Sequence, residues 1–160
     1  MSSIAALVTE LTITISATAA ELEATIRTHI PLSEAMEFTI DSLSVDGIVV
    51  IAPLLPNRNI HGTGFAGSLY SIAVLSGWAL TTHILSEAGV DAELVVGKAE
   101  ITYLAPVKED ILCRCHCGAE ARAIFLQSLK AKGKGRLELE VTVGESAAAR
   151  LKGIFFATLR

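Results

Sequence analysis

Residues 56–85 read PNRNIHGTGFAGSLYSIAVLSGWALTTHIL, and this stretch decides how the chain is interpreted. Its first part, residues 56–68, combines small, flexible and polar residues. It runs directly into residues 69–85, which contain no Asp, Glu, Lys or Arg. Such a loop can deliver a polar group to the start of a buried helix, where free backbone N–H groups meet the positive end of the helix dipole. The pattern therefore predicts a site that can stabilise a developing oxyanion.

Length, composition and charge restrict the possible classes of protein. With 160 residues, 51% of them hydrophobic, the chain is predicted to form one globular domain over residues 1–160, with residues 1–30 as an N-terminal helical extension. The net charge of −4 argues against nucleic-acid binding. Because no basic segment opens the chain, we expect no signal peptide and a cytoplasmic protein.

The uncharged residues 69–85 have an alternative interpretation as a membrane span. The stretch is somewhat shorter than the roughly 20 residues that a spanning helix needs. It carries several polar side chains, and no cluster of Lys or Arg flanks it. Because a helix that is apolar all round can also be buried inside a soluble domain, we expect a core helix and no membrane contact.

The three cysteines, Cys113, Cys115 and Cys117, alternate along the chain and therefore share one face of a predicted strand. Neighbours at this spacing lie near the upper Cα separation for a disulfide, about 7 Å. A metal site more often uses a tight C-x-x-C turn. We therefore expect free thiols in the core, a reducing compartment, and neither a metal nor a cofactor.

Hydrophobic periodicity and turn signals predict a mixed order of helices and strands. One helix is predicted within residues 5–29; it is clearest over 19–29 and ends at Pro31, and a strand-like alternation at 12–15 leaves its first half ambiguous. A second helix is predicted at 67–88, stopped by Gly89, and a short helix or irregular segment at 120–132. The predicted strands lie at 36–41, 48–52, 93–103, 108–118, 136–143 and 148–159. Most strands alternate apolar and polar residues, as expected for a sheet with one face on the core. One apolar helix wrapped by a curved, antiparallel, six-stranded sheet satisfies these patterns, which is the α+β hot-dog architecture.

Several local motifs make this interpretation more specific. They are the pattern P-N-x-N-x-x-G-T-x-F-A-G-S at residues 56–68, Ala52-Pro53, Ser76-Gly77-Trp78, ITYLAPV at residues 101–107 and KGIF at residues 152–155. With these motifs the chain resembles the thioesterase-type hot-dog domain known as the YiiD C-terminal family. The resemblance implies a homodimer or a dimer of dimers, a thioester substrate carried on coenzyme A or acyl carrier protein, and thioester hydrolysis.

The chain departs from many hot-dog thioesterases at one point. These place an Asp or Glu in the first turns of the central helix, whereas here residues 68–86 contain neither and Glu87 is the first. The usual carboxylate base or nucleophile is therefore missing from its usual place. Glu100 is a further carboxylate, but strand alternation points it away from Ile101 and Tyr103, so a partner copy's site is the one place where it could act.

Four polar residues of the loop are candidate catalytic groups. The amides of Asn57 and Asn59 could position a water or the thioester carbonyl, or they could cap the loop itself. His61 could act as a general base near neutral pH, or it could be a solvated side chain. Thr63 could orient a water or cap the following helix.

The end of the loop is the candidate binding surface for the thioester. Gly64, Phe65, Ala66 and Ser68 are expected to contact substrate, and the small residues among them allow close approach. The N–H of Ala66 or Gly67 is the expected oxyanion donor. Ser68 is more plausible as a cap than as a nucleophile, because no triad-like partner follows it.

Lys132, Lys134 and Arg136, with Lys130, form a basic cluster on an otherwise acidic chain. The cluster could contact the phosphates of coenzyme A or an acidic carrier protein, or it could be a solvated turn. We therefore expect a dimeric acyl thioesterase with its site at the subunit interface. The alternatives are a hot-dog dehydratase or hydratase, which would need a His and a carboxylate, and a non-catalytic protein that binds acyl thioesters.

Overall fold

The computed structural model describes residues 18–160. The elements are α1 (Ala19–His29), α2 (Pro31–Ala35), β1 (Thr39–Ser44), β2 (Gly47–Ala52), a 3-10 turn (Leu55–Asn57), α3 (Ala66–Glu87), β3 (Ala92–Tyr103), β4 (Ile111–His116), α4 (Ala119–Lys132), β5 (Lys134–Val143) and β6 (Ala149–Leu159). The part of the predicted N-terminal helix before residue 18 lies outside the described residues.

The six strands form one antiparallel sheet in the order β1-β2-β4-β5-β6-β3. The long helix α3 lies against the inner face of this sheet and contacts all six strands, β1 least. The predicted hot-dog fold is confirmed. Strand β3 occupies one edge, so its outer backbone groups have no partner within the described chain.

Helix α3 is the core of the domain. Its central residues are buried on most sides, as the continuous apolar sequence predicts. Gly77 allows the sheet to approach, because a Cβ there would lie 2.6 Å from Cζ of Phe155. Although α3 has the length and composition of a membrane span, 67% of its most apolar window is buried within the fold. Gly89 has φ of +63° and adopts the left-handed conformation just after the end of α3.

The N-terminal segment differs from the sequence prediction in two places. Pro31 does not simply end a helix but begins the short helix α2, where its missing N–H costs nothing. The first strand starts at Thr39, because Met36 and Glu37 form a turn in which Glu37 has φ of +53°. A side chain from α1 holds this turn: the Arg27 guanidinium donates to the Phe38 carbonyl at 3.0 Å.

The second half of the chain follows the sequence prediction, which left open whether residues 120–132 form a helix or an irregular segment. Residues 119–132 form a regular helix, α4, which Gly133 terminates in the left-handed conformation with φ of +71°. The three cysteines are free and buried, as predicted, but only Cys113 and Cys115 lie on the inner face of β4, because the strand ends at His116, before Cys117. In β6 the alternate residues Leu151, Gly153, Phe155 and Ala157 are buried on the core side, and Leu159 at the strand end is 40% exposed.

Candidate active site at the start of the central helix

The loop before α3 is closed by Asn59. Its side-chain oxygen accepts hydrogen bonds from the backbone N–H groups of His61 (2.9 Å) and Thr63 (3.2 Å). Its side-chain amide donates to the Thr63 hydroxyl at 3.0 Å. Gly62 makes the tight turn possible with φ of +76°. The capping role considered for Asn59 is therefore present, and Asn59 shapes the loop that carries Thr63.

Asn57 is buried beneath this loop and is only 1% exposed. Its side-chain amide donates to the carbonyls of Met36 and Pro53, both at 2.8 Å. Its backbone carbonyl accepts from the Phe65 N–H at 2.7 Å. Asn57 thus joins the turn after α2, the end of β2 and the residue that precedes α3. Its buried side-chain oxygen has no hydrogen-bond partner among the described residues.

The first turn of α3 presents backbone N–H groups without protein acceptors. Phe65 is the N-cap residue and makes no side-chain cap. Within residues 18–160, the amides of Ala66, Gly67 and Ser68 donate to no protein group. The expectation that Thr63 or Ser68 caps this helix is wrong, because the Thr63 hydroxyl is instead engaged by Asn59. These free amides, at the positive end of a 22-residue helix, form a site for an anion or a polarised carbonyl.

A cavity of about 370 Å³ opens at the start of α3, beside Ala66. The loop and helix contribute four predicted site residues to its lining, Asn59, Thr63, Gly64 and Ala66, together with Leu69. The other wall is formed by residues 103–107, which follow β3. The Gly64 N–H donates to the Val107 carbonyl at 2.7 Å and joins the two walls.

Residues 103–107 were not among the site residues expected from the sequence, although the ITYLAPV motif was a visible signal. Tyr103 is the main contributor, since its hydroxyl donates to the Ala66 carbonyl at 2.7 Å. Partial burial, and to a smaller extent the nearby Tyr70, raises the pKa of Tyr103. The phenol is therefore protonated at neutral pH and fixes the first residue of α3 to the end of β3.

The remaining predicted residues do not line this cavity. His61 is exposed, and its ring has no hydrogen-bond partner within the described chain. The ring of Phe65 lies against Gly67, so that a Cβ at Gly67 would be 2.6 Å from Cε1 of Phe65. Ser68 lies in the first turn of α3 and is not part of the cavity lining.

The basic cluster lies far from the cavity within one chain. Lys134 pairs with Thr158 of β6, whereas Tyr103 pairs with Ala149 at the other end of that strand. This separation along β6 is roughly 30 Å. Lys132 ends α4, and Arg136 forms an exposed ion pair with Glu138 at 3.3 Å. Within one described chain the three residues are therefore too far from the cavity to contact a group bound there.

The cavity lining contains no Asp, Glu or His. Glu100 is exposed on the outer face of the sheet, opposite Lys152 in the pairing with β6. Within residues 18–160, no three His, Cys, Asp or Glu side chains form a metal-binding cluster. The chemical groups that the described chain brings to the site are therefore backbone amides, hydroxyls and one side-chain amide.

A buried helix inside a single antiparallel sheet, with the free amide of Ala66 at a cavity, defines a hot-dog protein with a candidate active site at the start of that helix. The chain belongs to the family described as "Putative thioesterase (yiiD_Cterm)", whose model matches residues 19–159.

Solved structures agree with this assignment. A protein of unknown function from Chlorobaculum tepidum is 28% identical, with a TM-score of 0.85 over 91% of this chain and 99% of that one. A "putative thioesterase" from Shewanella oneidensis is 30% identical, with a TM-score of 0.79 over 89% and 97%. A protein from Pseudomonas aeruginosa described as a "probable thioesterase" is 20% identical, has a TM-score of 0.77 over 89% and 97%, and supports the fold alone.

Proposed function

We propose that this protein is an acyl thioesterase that hydrolyses an acyl group carried on coenzyme A or acyl carrier protein. The observation that carries the proposal is the free amide of Ala66, which lines a cavity at the positive end of α3, with the free amides of Gly67 and Ser68 next to it in the first helical turn. Donors held in place before the reaction stabilise charge that develops on a carbonyl oxygen. Family membership supports the same class of reaction.

In the proposed reaction, the thioester carbonyl oxygen accepts hydrogen bonds from the Ala66 and Gly67 amides. A water attacks the carbonyl carbon, the oxyanion forms on these amides, and the carbon–sulfur bond breaks to release an acid and a thiol. Asn59 holds Thr63 at the cavity, so the Thr63 hydroxyl is the side-chain group best placed to orient the water. The proton acceptor is not among the residues that line the cavity of one chain.

Dimerisation through β3 would complete the site. This strand is 12 residues long and lies at the sheet edge, with Val95 50% exposed. Antiparallel pairing of two copies of β3 would cover this edge and bring groups of a second copy toward each cavity. Among these groups is the basic cluster at residues 132–136, whereas Glu100 would remain on the outer face of the joined sheet, away from the cavity.

The test is hydrolysis of a panel of acyl-coenzyme A and acyl-carrier-protein thioesters by the purified full chain. Released thiol is measured at neutral pH, and Thr63→Val serves as the site variant. Ser128→Ala is a matched hydroxyl control, because Ser128 lies on α4 and donates to the Lys134 carbonyl. We expect turnover by the wild-type and control proteins and a loss in Thr63→Val. Lack of turnover on every carrier would overturn the proposal.

One observation favours a second candidate function. Because no Asp, Glu or His lines the cavity, a protein that binds acyl thioesters without hydrolysing them fits the same geometry. Calorimetry with a non-hydrolysable thioester analogue separates the two functions. Tight binding of the analogue without turnover of the matching thioester would establish the binding protein. A dehydratase or hydratase is disfavoured, because its His and carboxylate are absent from the lining.

A further inference from the structure

Tyr103 connects the end of β3 to the start of α3 within the cavity. Both Tyr103 and Ala66 line that cavity, and the Tyr103 hydroxyl donates to the Ala66 carbonyl at 2.7 Å. Ala66 is also a residue whose backbone N–H donates to no protein group within residues 18–160. A phenol and a free amide therefore meet at one helix residue, although Tyr103 and Ala66 are 37 positions apart in the chain.

The phenol oxygen lies close to this free amide. The nitrogen and the carbonyl oxygen of one helical residue are about 3.5 Å apart, so the phenol oxygen lies at most about 6 Å from the Ala66 nitrogen. Two donors at this separation can share one acceptor oxygen, because each hydrogen bond spans about 2.7–3.0 Å. A substrate carbonyl oxygen that accepts from the Ala66 amide is therefore within reach of the phenol.

The surroundings of the phenol keep it protonated. Partial burial, and to a smaller extent Tyr70 on α3, raises the pKa of Tyr103. Apart from Tyr103, no titratable or charged side chain lines the cavity of the described chain, and Ala149 of β6 lies opposite Tyr103 in the sheet. At neutral pH the hydroxyl is therefore a neutral donor, with no carboxylate in the cavity to compete with a substrate.

We infer that Tyr103 is a catalytic residue whose hydroxyl turns from the Ala66 carbonyl to the substrate and becomes a second donor to the oxyanion, beside the Ala66 amide. Rotation about the bond from Cζ to the phenol oxygen moves the hydrogen, and no proton is transferred. A hydrogen bond to a charged acceptor is roughly twice as strong as one between neutral groups. The contact therefore strengthens as charge develops, which lowers the barrier itself. The inference rests on the proposed thioester chemistry for the oxyanion.

Kinetics of Tyr103→Phe in the full chain test this role. The variant keeps the ring and loses only the hydroxyl, and we expect kcat to fall by about 10²-fold with little change in KM. Tyr70→Phe is the matched control and should keep the wild-type kcat, because Tyr70 is partly buried on α3 and lies outside the cavity lining. Folded Tyr103→Phe with the wild-type kcat would overturn the inference.

A second readout separates donation to the oxyanion from support of the helix. The chain contains two tyrosines, so Tyr103 is the one tyrosine left in Tyr70→Phe protein. Biosynthetic replacement of that tyrosine by 3,5-difluorotyrosine keeps the hydroxyl and lowers the phenol pKa, because fluorine withdraws electrons. A phenolate cannot donate a hydrogen bond, so kcat should fall as pH rises through the phenol pKa. This decline should move to lower pH with difluorotyrosine and be absent from Tyr103→Phe.

An alkaline decline at the same pH with tyrosine and with difluorotyrosine would also overturn the inference. This comparison does not depend on the folding of Tyr103→Phe, because the difluorotyrosine protein retains the hydroxyl that bonds to Ala66.

Fluorine NMR of the difluorotyrosine protein gives a readout that does not depend on turnover. The probe is an acyl-coenzyme A analogue in which a methylene group replaces the thioester sulfur, so its ketone cannot be hydrolysed. If no thioester is hydrolysed but the analogue shifts the Tyr103 resonance and binds more weakly to Tyr103→Phe, the contact with the carbonyl stands and the proposed hydrolysis fails. If thioesters are hydrolysed while the bound analogue leaves the resonance unchanged, the hydrolysis stands and the inference is overturned. Neither turnover nor a shifted resonance would refute both.

Discussion

The ring of Phe65 occupies the space into which a side chain at Gly67 would project. A Cβ built at Gly67 would lie 2.6 Å from Cε1 and 2.8 Å from Cζ of Phe65. Phe65 is 51% exposed, so its ring can move without disturbing the core. The absence of a side chain at Gly67 therefore leaves room for Phe65 beside the free amides of the helix start.

Gly67→Val is expected to lower kcat/KM by about 10²-fold, because a branched side chain would displace Phe65 and crowd the amide that binds the oxyanion. The melting temperature should change little, since Phe65 can turn into solvent. Binding of a non-hydrolysable thioester analogue should weaken in parallel. Gly118→Val is the matched control, because Gly118 precedes α4 and a Cβ there meets no atom within 4 Å.

Adding Gly67→Val to a Phe65→Ala protein separates displacement of the Phe65 ring from crowding of the Gly67 amide. A second loss of activity in the double variant would assign the effect to the amide itself. Full activity of the folded single variant Gly67→Val would mean that the thioester does not lie over this turn.

Asn57→Ala is expected to reduce the free energy of unfolding by about 1–3 kcal/mol, since the Met36 and Pro53 carbonyls would lose their donor in a buried site. Asn57→Asp should be worse, because it would bury a carboxylate against two carbonyl oxygens. Urea denaturation measures both changes. Wild-type stability in Asn57→Ala, together with lost turnover, would instead assign Asn57 a direct role in the reaction.

Asn59→Ala is expected to reduce turnover by roughly 10²-fold if the loop geometry positions the water. Asn59→Asp retains the oxygen that accepts from the His61 and Thr63 amides and loses only the donor to the Thr63 hydroxyl. Its kcat/KM should therefore lie between those of the wild type and Asn59→Ala. Equal kcat/KM in all three folded proteins would leave Asn59 with a structural role alone.

Neutralising Lys132, Lys134 and Arg136 together is expected to raise KM with little change in kcat if the cluster of a second subunit contacts the carrier. The effect should diminish with added salt, because exposed charges are screened. Steady-state kinetics with coenzyme A and carrier-protein substrates at two salt concentrations provide the measurement. Unchanged KM on both carriers would remove the cluster from the binding surface.

The buried cysteines predict a specific dependence on pH. Burial raises the pKa of Cys113 and Cys115 to about 12, the Ser76 hydroxyl opposing part of the shift at Cys113. The unfolded chain ionises these thiols from a pKa of about 8.5. The folded state therefore binds more protons above that pH, and the stability that these thiols contribute falls as pH rises toward 12.

Thiol titration and urea denaturation check this expectation. Native protein at pH 8 should react slowly with a thiol reagent, whereas unfolded protein should expose all three cysteines. Rapid reaction of the native protein would show that the inner face of β4 opens readily.

Much of the fold could be predicted from the sequence because the relevant signals are local. The uncharged residues 69–85 can be buried on all sides, and the alternation at residues 137–143 places one face on the core. The glycine-rich loop before α3 similarly marked the position of free helix amides. Pro31 was predicted only to end a helix, and the start of α2 was missed because proline is equally suited to the first position of a new helix.

The sequence by itself determined a helix inside an antiparallel sheet and a polar loop at the start of that helix. The tertiary structure decided which loop residues face a cavity. Asn57 and Asn59 have the same side chain two positions apart. Asn57 is buried and donates to the carbonyls of Met36 and Pro53, whereas Asn59 accepts from the backbone of its own loop. Only folding brought Tyr103 to Ala66 and Trp78 to Leu94, because those contacts join residues 37 and 16 positions apart. Local patterns carry no information about which distant side chains meet, and the packing of β3 against α3 supplies it.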